Sequence, residues 1–203
     1  NGKVQWELDY AKLGMKFIGE KGRVPGARRH GFTGAPLVIG GMVYAMVGGQ
    51  GTGIVCFNRT NGEIIWDALD YKPGYPPPIL ATIAGRQQFV CFFVEGAVGI
   101  SVTSGTELWK VPMKTDYGRH VAAPMVYGNT VVVGSHQTGL QGITISPDGD
   151  GFKAEPVWKN IEAQPNITHG VRVGGHYYGP YPTNADPWNI GNTFYDSDLY
   201  GVA

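Results

Sequence analysis

Three histidines each come shortly before a run of apolar residues. His30 lies in "RRHGFTGAP", His120 in "GRHVAAP" and His169 in "NITHGV", and Tyr75 holds a similar place in "GYPPP". Because imidazole titrates near neutral pH and binds metal ions, histidines gathered at one place could serve as acid–base groups or metal ligands. Hydrogen bonding to buried loop backbone is the alternative, and it is the role that we expect.

Two longer segments add charge and aromatic surface to these candidates. Residues 7–30 are rich in lysine and arginine and include Arg28 and Arg29, whereas residues 179–198 are rich in tyrosine and proline and include Trp188. An exposed aromatic loop beside a basic loop would suit recognition of a partner protein or a glycan. The alternative, which we favour, is that the aromatic loop packs against its own part of the fold.

Other patterns give little sign of catalysis or of metal binding. Cys56 and Cys91 form no metal motif and lie in the apolar runs "GIVCFN" and "FVCFF". Buried free thiols are therefore expected, with a disulfide between neighbouring sheets as the alternative. The stretch "PDGDG" lacks the glutamate that closes an EF-hand loop and is interpreted as a turn. The sequence leaves enzymatic activity open and favours a non-catalytic protein.

The composition of the 203 residues indicates many short strands. The 32 glycines and 14 prolines suit tight turns, and no apolar run is long enough to cross a membrane as a helix. Lys+Arg and Asp+Glu are both 16, so the formal net charge is +0. Nothing in this balance indicates nucleic acid or an anionic membrane as a partner. We therefore expect neither a nucleic-acid interface nor a transmembrane segment.

Similar phrases recur along the chain and end in tryptophan. They are "NGKVQW" at Trp6, "NGEIIW" at Trp66, "SGTELW" at Trp109 and "GFKAEPVW" at Trp158. A second phrase repeats in phase with the first and consists of two apolar runs joined by a short turn signal. The four turn signals are Gly40-Gly41, Gly85-Arg86, Gly128-Asn129 and Gly174-Gly175. Glycine and asparagine at such a turn predict a β-hairpin, because the favoured hairpin turns need positive φ.

Each hairpin is followed by a third apolar run and then by the run that carries tryptophan. The third runs are "GIVCFN", "AVGIS", "GITIS" and "LYGVA". Four short strands in a unit of about 45 residues are typical of a β-propeller blade. The sequence therefore predicts an all-β propeller of about four blades with four-stranded antiparallel sheets. The approximate blades are 35–66, 77–109, 122–158, and 170–203 together with 1–6.

The two ends of the chain allow two interpretations. Ala203 aligns with Asn58 of the first repeat, and Asn1 aligns with Asn61, so the chain begins close to where its last repeat would continue. The first interpretation is a closed four-bladed ring in which the first strand completes the last blade. The second, which we favour, is part of a larger propeller.

The repeated phrase Ala/Asn-x-x-x-Gly-Glu/Lys-x-x-Trp resembles the tryptophan-docking repeat of the pyrroloquinoline-quinone (PQQ)-like propellers. Stretches that carry the resemblance include "GFTGAPLVIGGMVYAMVGG", "GTELWKVPMKTDYGRHVAAPMVYGNTVVVGS" and "DGDGFKAEPVWKN". The chain looks most similar to bacterial PQQ-like repeat proteins, which are related in fold to the outer-membrane assembly propeller lipoprotein and to quinoprotein dehydrogenases. The resemblance implies an exported, periplasmic location. It also implies that the repeated tryptophans dock between adjacent blades: Trp6, Trp66, Trp109 and Trp158.

Quinoprotein dehydrogenases of this fold carry a calcium site, a catalytic aspartate and often an adjacent pair of cysteines. Here Cys56 and Cys91 are far apart, and no compact carboxylate cluster is evident in the sequence. No cofactor is therefore expected, and PQQ with calcium would belong only to the alternative that the chain is a fragment of such a dehydrogenase. A glycan-binding or glycan-acting propeller is another alternative. We expect a non-catalytic binding scaffold whose loop-rich face engages another protein, a larger complex or a polymer.

Overall fold

The computed structural model describes residues 2–10, 34–116, 118–165, 169–174, 176–181 and 193–198. These residues form fifteen strands in four separate sheets and contain no α-helix. The strands of every sheet are antiparallel and lie in chain order, so each sheet is a meander. The predicted all-β fold built from antiparallel propeller blades is confirmed. We call the four sheets blades 1 to 4.

The strands have the following bounds. Blade 1 contains β1 (Leu37–Ile39), β2 (Met42–Ala45), β3 (Ile54–Asn58) and β4 (Ile64–Ala68). Blade 2 contains β5 (Ile79–Ile83), β6 (Arg86–Phe93), β7 (Gly96–Ser101) and β8 (Glu107–Pro112). Blade 3 contains β9 (Met125–Tyr127), β10 (Thr130–Ser135), β11 (Gly139–Asp148) and β12 (Gly151–Asn160). The described strands of blade 4 are β13 (Val171–Val173), β14 (His176–Tyr181) and β15 (Thr193–Asp198).

Neighbouring blades pack face to face through apolar side chains. Along β6, Phe89, Cys91 and Phe93 join a buried cluster with blade 1, whereas Val90 and Phe92 join a second cluster with blade 3. Because successive side chains of a strand point to opposite faces, a strand between two blades must be apolar on both faces. This explains why the run "FVCFF" does not alternate between apolar and polar residues.

In blades 1, 3 and 4 the turns between first and second strands lie at the predicted glycine signals. Gly40, Gly128 and Gly174 adopt positive φ values of 56°, 57° and 60°, which glycine tolerates without steric cost. In blade 2 the turn lies one residue earlier than the predicted Gly85-Arg86, because Arg86 already belongs to β6; it uses Ala84 and Gly85, with φ values of 50° and 78°. The Ala84 amide donates a 2.7 Å hydrogen bond to Asn129 Oδ1, which ties this turn to the corresponding turn of blade 3.

Blade 4 differs from the prediction in the place of its third strand. The structure places that strand at β15, which pairs with β14 from His176↔Asp198 to Tyr181↔Thr193. The predicted loop 179–198 is therefore too long, because both of its ends belong to strands. The predicted strand "LYGVA" lies outside the described residues. Residues 2–10 form no strand, and their side chains Leu8 and Tyr10 pack against Phe57 and its neighbours in blade 1.

Candidate functional site

In the described part of the chain, the connections between blades lie at the same end of the sheets as the turns between second and third strands. A meander reverses direction at each turn, so the fourth strand of a blade ends at the same edge as the turn between its second and third strands. Residues 69–78, 113–124 and 135–139 therefore gather at this edge. We call this surface the loop face. It is where the sequence predicts the histidine cluster.

Tyr75 and His120 are brought together by their backbones. The Tyr75 amide donates a 2.8 Å hydrogen bond to the His120 carbonyl. Directly before it, the Gly74 amide donates to the Phe92 carbonyl at 3.1 Å, and a β-carbon at Gly74 would collide with that carbonyl. The chain can approach β6 this closely only because residue 74 is glycine.

The His120 side chain is fully buried rather than displayed on the surface. Its ring stacks on Phe92 with centroids 3.9 Å apart and planes 16° apart, and Nε2 lies 3.1 Å from the Met113 carbonyl oxygen. Burial lowers the pKa of His120 to about 4, although the Met113 and Val94 carbonyls oppose the shift. His120 is thus neutral at pH 7, and this geometry is that of the loop-backbone role that we expected.

The other predicted binding residues are not assembled with Tyr75 and His120 among the described residues. His169 is exposed two residues before β13. His30, Arg28, Arg29 and Trp188 lie outside the described residues. Within the part of the chain that the structure describes, no group of three or more histidine, cysteine, aspartate or glutamate residues could hold a metal ion.

A polar cluster beside His120 escaped the sequence analysis. Gln137 Nε2 donates to Asp116 Oδ2 at 2.9 Å, and the Asp116 amide donates to Gln137 Oε1 at 2.7 Å. His136 lies next to this Asp116–Gln137 pair. Its pKa is lowered mainly by burial and further by the Arg119 charge, while the Asp116 charge opposes the shift. The signal was "GSHQTG", a polar turn between two apolar runs. The sequence prediction covered only histidines that precede first strands, whereas His136 follows a second strand.

Trp6 and Trp66 make equivalent contacts with the next blade. A β-carbon at Gly105, in the turn between β7 and β8, would lie 2.7 Å from Trp66 Cζ3. Likewise, a β-carbon at Gly62, in the turn between β3 and β4, would lie 2.7 Å from Trp6 Cε3. The Trp6 indole also donates a 2.7 Å hydrogen bond to the Arg59 carbonyl. Both tryptophans therefore sit against a glycine in the turn between third and fourth strands.

Trp109 and Trp158 lie against glycines of their own blades. The indole of Trp109 covers Gly99, and that of Trp158 covers Gly142, so closely that a β-carbon at either glycine would overlap the ring. Trp109 also donates to Gln88 Oε1 at 2.5 Å and belongs to the apolar cluster between blades 2 and 3. Trp158 packs against the cluster that includes Tyr177 of blade 4.

A β-bulge recurs beside three of these tryptophans. Trp66, Trp109 and Trp158 pair with Cys56, Gly99 and Gly142, and the register shifts immediately after each of those partners. A bulge adds one residue to one strand and re-aims the side chains around it. These three blades thus share a backbone irregularity as well as a sequence pattern.

The sequence profile of the family described as outer membrane protein assembly factor BamB matches residues 1–183. The chain belongs to this family of PQQ-like propellers. Among 35 matching chains of solved structures is BamB from Moraxella catarrhalis, with a TM-score of 0.53 and 14% sequence identity. The match covers 82% of this chain and 46% of the BamB chain, so this chain spans less than half the length of that relative. No curated protein matches the chain.

Two further observations concern membrane helices and the cysteines. In the residues that the structure describes, no helix is long and apolar enough to span a membrane. Cys56 and Cys91 are free, and both are buried. Burial raises the pKa of both thiols, and for Cys56 a hydrogen bond with the Tyr44 hydroxyl opposes the shift. The expectation of buried free thiols agrees with this geometry.

Proposed function

We propose that this BamB-like chain is a non-catalytic scaffold that binds another protein through its loop face. The observation that carries the proposal is the match of residues 1–183 to the assembly-factor family. A propeller suits a scaffold role because its blades form a rigid support for variable loops. By the same relationship we propose that the chain is exported and works in the periplasm as part of a larger complex.

The chemistry of the loop face supports protein recognition. Around the buried His120, the surface carries Lys114, Asp116 and Gln137, all exposed, with His136 half-buried beside them. Charges of both signs lie close to amide groups, which favours specific polar contacts with a partner surface over attraction of one charged polymer. We propose that this cluster, with Tyr75, belongs to the binding surface.

We assign the repeated tryptophans a different task, which is to dock adjacent blades. The contacts of Trp6 with Gly62 and of Trp66 with Gly105 cross between neighbouring units, and Trp109 packs in the cluster between blades 2 and 3. A large, flat, apolar ring with one hydrogen-bond donor suits such a joint. On this proposal the tryptophans hold the scaffold together and the loops bind.

Site-specific photo-crosslinking in cells tests the proposed binding face. A photoreactive amino acid at Lys114 reports on the loop face, and the same group at Asp150, which is exposed in the β11–β12 turn at the opposite edge of blade 3, serves as the control. We expect a discrete adduct with a component of the outer membrane protein assembly machinery from position 114 and none from position 150. Equal labelling from both positions, or no adduct, would contradict the proposal.

A charge-reversing variant makes the same experiment sharper. Asp116→Lys removes the carboxylate that Gln137 contacts and changes the local charge, and it should weaken the adduct from position 114 without unfolding the exposed loop. Asp150→Lys is the matched control. If stoichiometric uptake of PQQ with calcium and dye-linked alcohol oxidation were observed instead, the scaffold proposal would give way to a dehydrogenase.

A further inference from the structure

His120 joins three separate segments of the loop face. Its ring contacts Phe92 at the end of β6 and the Met113 carbonyl after β8, and its own carbonyl accepts the Tyr75 amide at 2.8 Å. The carbonyl of the preceding residue, Arg119, accepts the Ser135 hydroxyl at 2.8 Å. Moving His120 would therefore loosen the connection before blade 2, the connection before blade 3 and the β10–β11 turn together.

The surroundings of the ring accept a neutral imidazole and oppose a charged one. A neutral ring has one N–H group, which Nε2 can direct to the Met113 carbonyl. Nδ1 is buried without a hydrogen-bond partner, although the Val94 carbonyl favours the charged ring. A protonated ring would carry a second N–H group into this buried place, where the cost of burying the charge outweighs the help of the Met113 and Val94 carbonyls.

The charged groups nearby do not compensate for that cost. The ionisable side chains on the segments around the ring include Lys72, Glu95, Lys114, Asp116, Arg119 and His136. The charge that acts on His120 is that of His136, and it disfavours a second positive charge. Asp116 instead acts on His136 and is clamped by Gln137.

We propose that His120 is a proton-operated latch of the loop face. Neutral His120 holds the three segments closed, and protonation favours an open arrangement in which the ring reaches water and the Tyr75–His120 hydrogen bond is broken. The proposal goes beyond partner binding and does not depend on it, because the latch would open in the isolated protein.

The direction of the pH dependence follows from where the protons bind. Burial lowers the pKa of His120 to about 4 in the closed arrangement, from an ordinary value of 6.5 for a ring in water. The open arrangement therefore binds more protons, so the latch is closed above pH 6.5 and weakens as pH falls towards 4. Between pH 7 and pH 5 these two pKa values give an increase of about 20-fold in the opening equilibrium.

Native-state hydrogen exchange of the Tyr75 amide measures this opening directly. After correction for intrinsic exchange, we expect its protection to fall about 20-fold between pH 7 and pH 5. The Gly105 amide donates to the Ser101 carbonyl at the opposite edge of blade 2, and its protection should stay constant over the same pH range. His120→Gln should abolish the dependence at Tyr75, whereas His136→Gln should preserve it. Unchanged protection at Tyr75, or the same dependence in His120→Gln, overturns the latch.

A second measurement covers the case in which His120→Gln does not fold. The ring protons of His120 can be titrated by NMR in the wild-type protein, with exposed His169 as the internal comparison. We expect a pKa below 5 for His120. A value near 6.5 would show that the ring is accessible to protons without opening, and the latch proposal would be wrong.

Discussion

The indole of Trp66 in blade 1 lies directly against Gly105 in the β7–β8 turn of blade 2. Gly105 has φ of 70°, and a β-carbon there would lie 2.7 Å from Trp66 Cζ3. The same contact occurs between Trp6 and Gly62, so two successive units are joined to their neighbours in the same way. The glycine meets two requirements at once, since it provides the positive φ of the turn and leaves room for the ring.

Gly105→Ala should therefore destabilise the protein by about 2–4 kcal/mol, because steric strain at positive φ adds to displacement of Trp66 and of Ala68, whose β-carbon lies equally close. Gly149→Ala is the matched control, since Gly149 also has positive φ, 55°, but has open space around it. It should cost only about 1–2 kcal/mol. Urea denaturation of the two variants separates the contributions, and equal losses would show that the contacts of Gly105 with Trp66 and Ala68 add nothing to the strain of the turn.

Trp109 is the most deeply buried of the described tryptophans, and its removal should cost most. Trp109→Ala is expected to lower the free energy of unfolding by about 3–5 kcal/mol. A melting temperature within a degree or two of the wild type would disprove this expectation.

The hydrogen bond of Trp109 can be separated from its packing. Trp109→Phe would leave Gln88 Oε1 without its indole donor in a fully buried place, at a cost of about 1–3 kcal/mol beyond the smaller ring. Adding Gln88→Leu should recover part of that loss. If the double variant is no more stable than Trp109→Phe, the unpaired Gln88 side chain does not account for the loss of stability in Trp109→Phe.

The residue opposite each tryptophan in the third strand gives another matched comparison. Gly99→Ala would force a β-carbon into the Trp109 ring and should cost about 1–3 kcal/mol through overpacking. Cys56 holds the same place opposite Trp66 and already has a β-carbon, so Cys56→Ala should cost less. Denaturation midpoints of the two variants test the difference, and the reverse order would refute it.

The sequence predicted the repeated parts of the fold well because each repeat carries its own local signals. Glycines such as Gly40 and Gly128 mark turns whose φ values only glycine adopts easily, and apolar runs on either side mark strands. The loop of blade 4 was predicted to begin at Gly179, inside β14, because Gly179 and Pro180 argue against a strand. β13 pairs with β14 only as far as Tyr178, so Pro180 pairs with β15 but not with β13. A proline, which has no N–H to donate, is tolerated at such a position.

The candidate site was harder to predict because its chemistry depends on contacts between distant residues. The phrase "GRHVAAP" located His120 on the loop face but could not show that Phe92 and Met113 bury its ring. His136 was missed for the same reason, since only the fold places the β10–β11 turn beside Asp116 and Arg119. The repeat therefore predicts on which face a histidine lies, whereas the burial of its ring and the charges around it depend on tertiary packing.

The two thiols give a test of the buried core that requires no mutation. Cys56 and Cys91 are both fully buried, and burial raises the pKa of each, so neither presents a reactive thiolate at pH 8. An aromatic disulfide reagent should therefore label neither thiol in the native protein and both after denaturation. Rapid labelling of the native protein would show that the clusters on either side of β6 open readily. Slow labelling of Cys56 alone would locate the weaker packing in blade 1, where Trp66 is only half-buried.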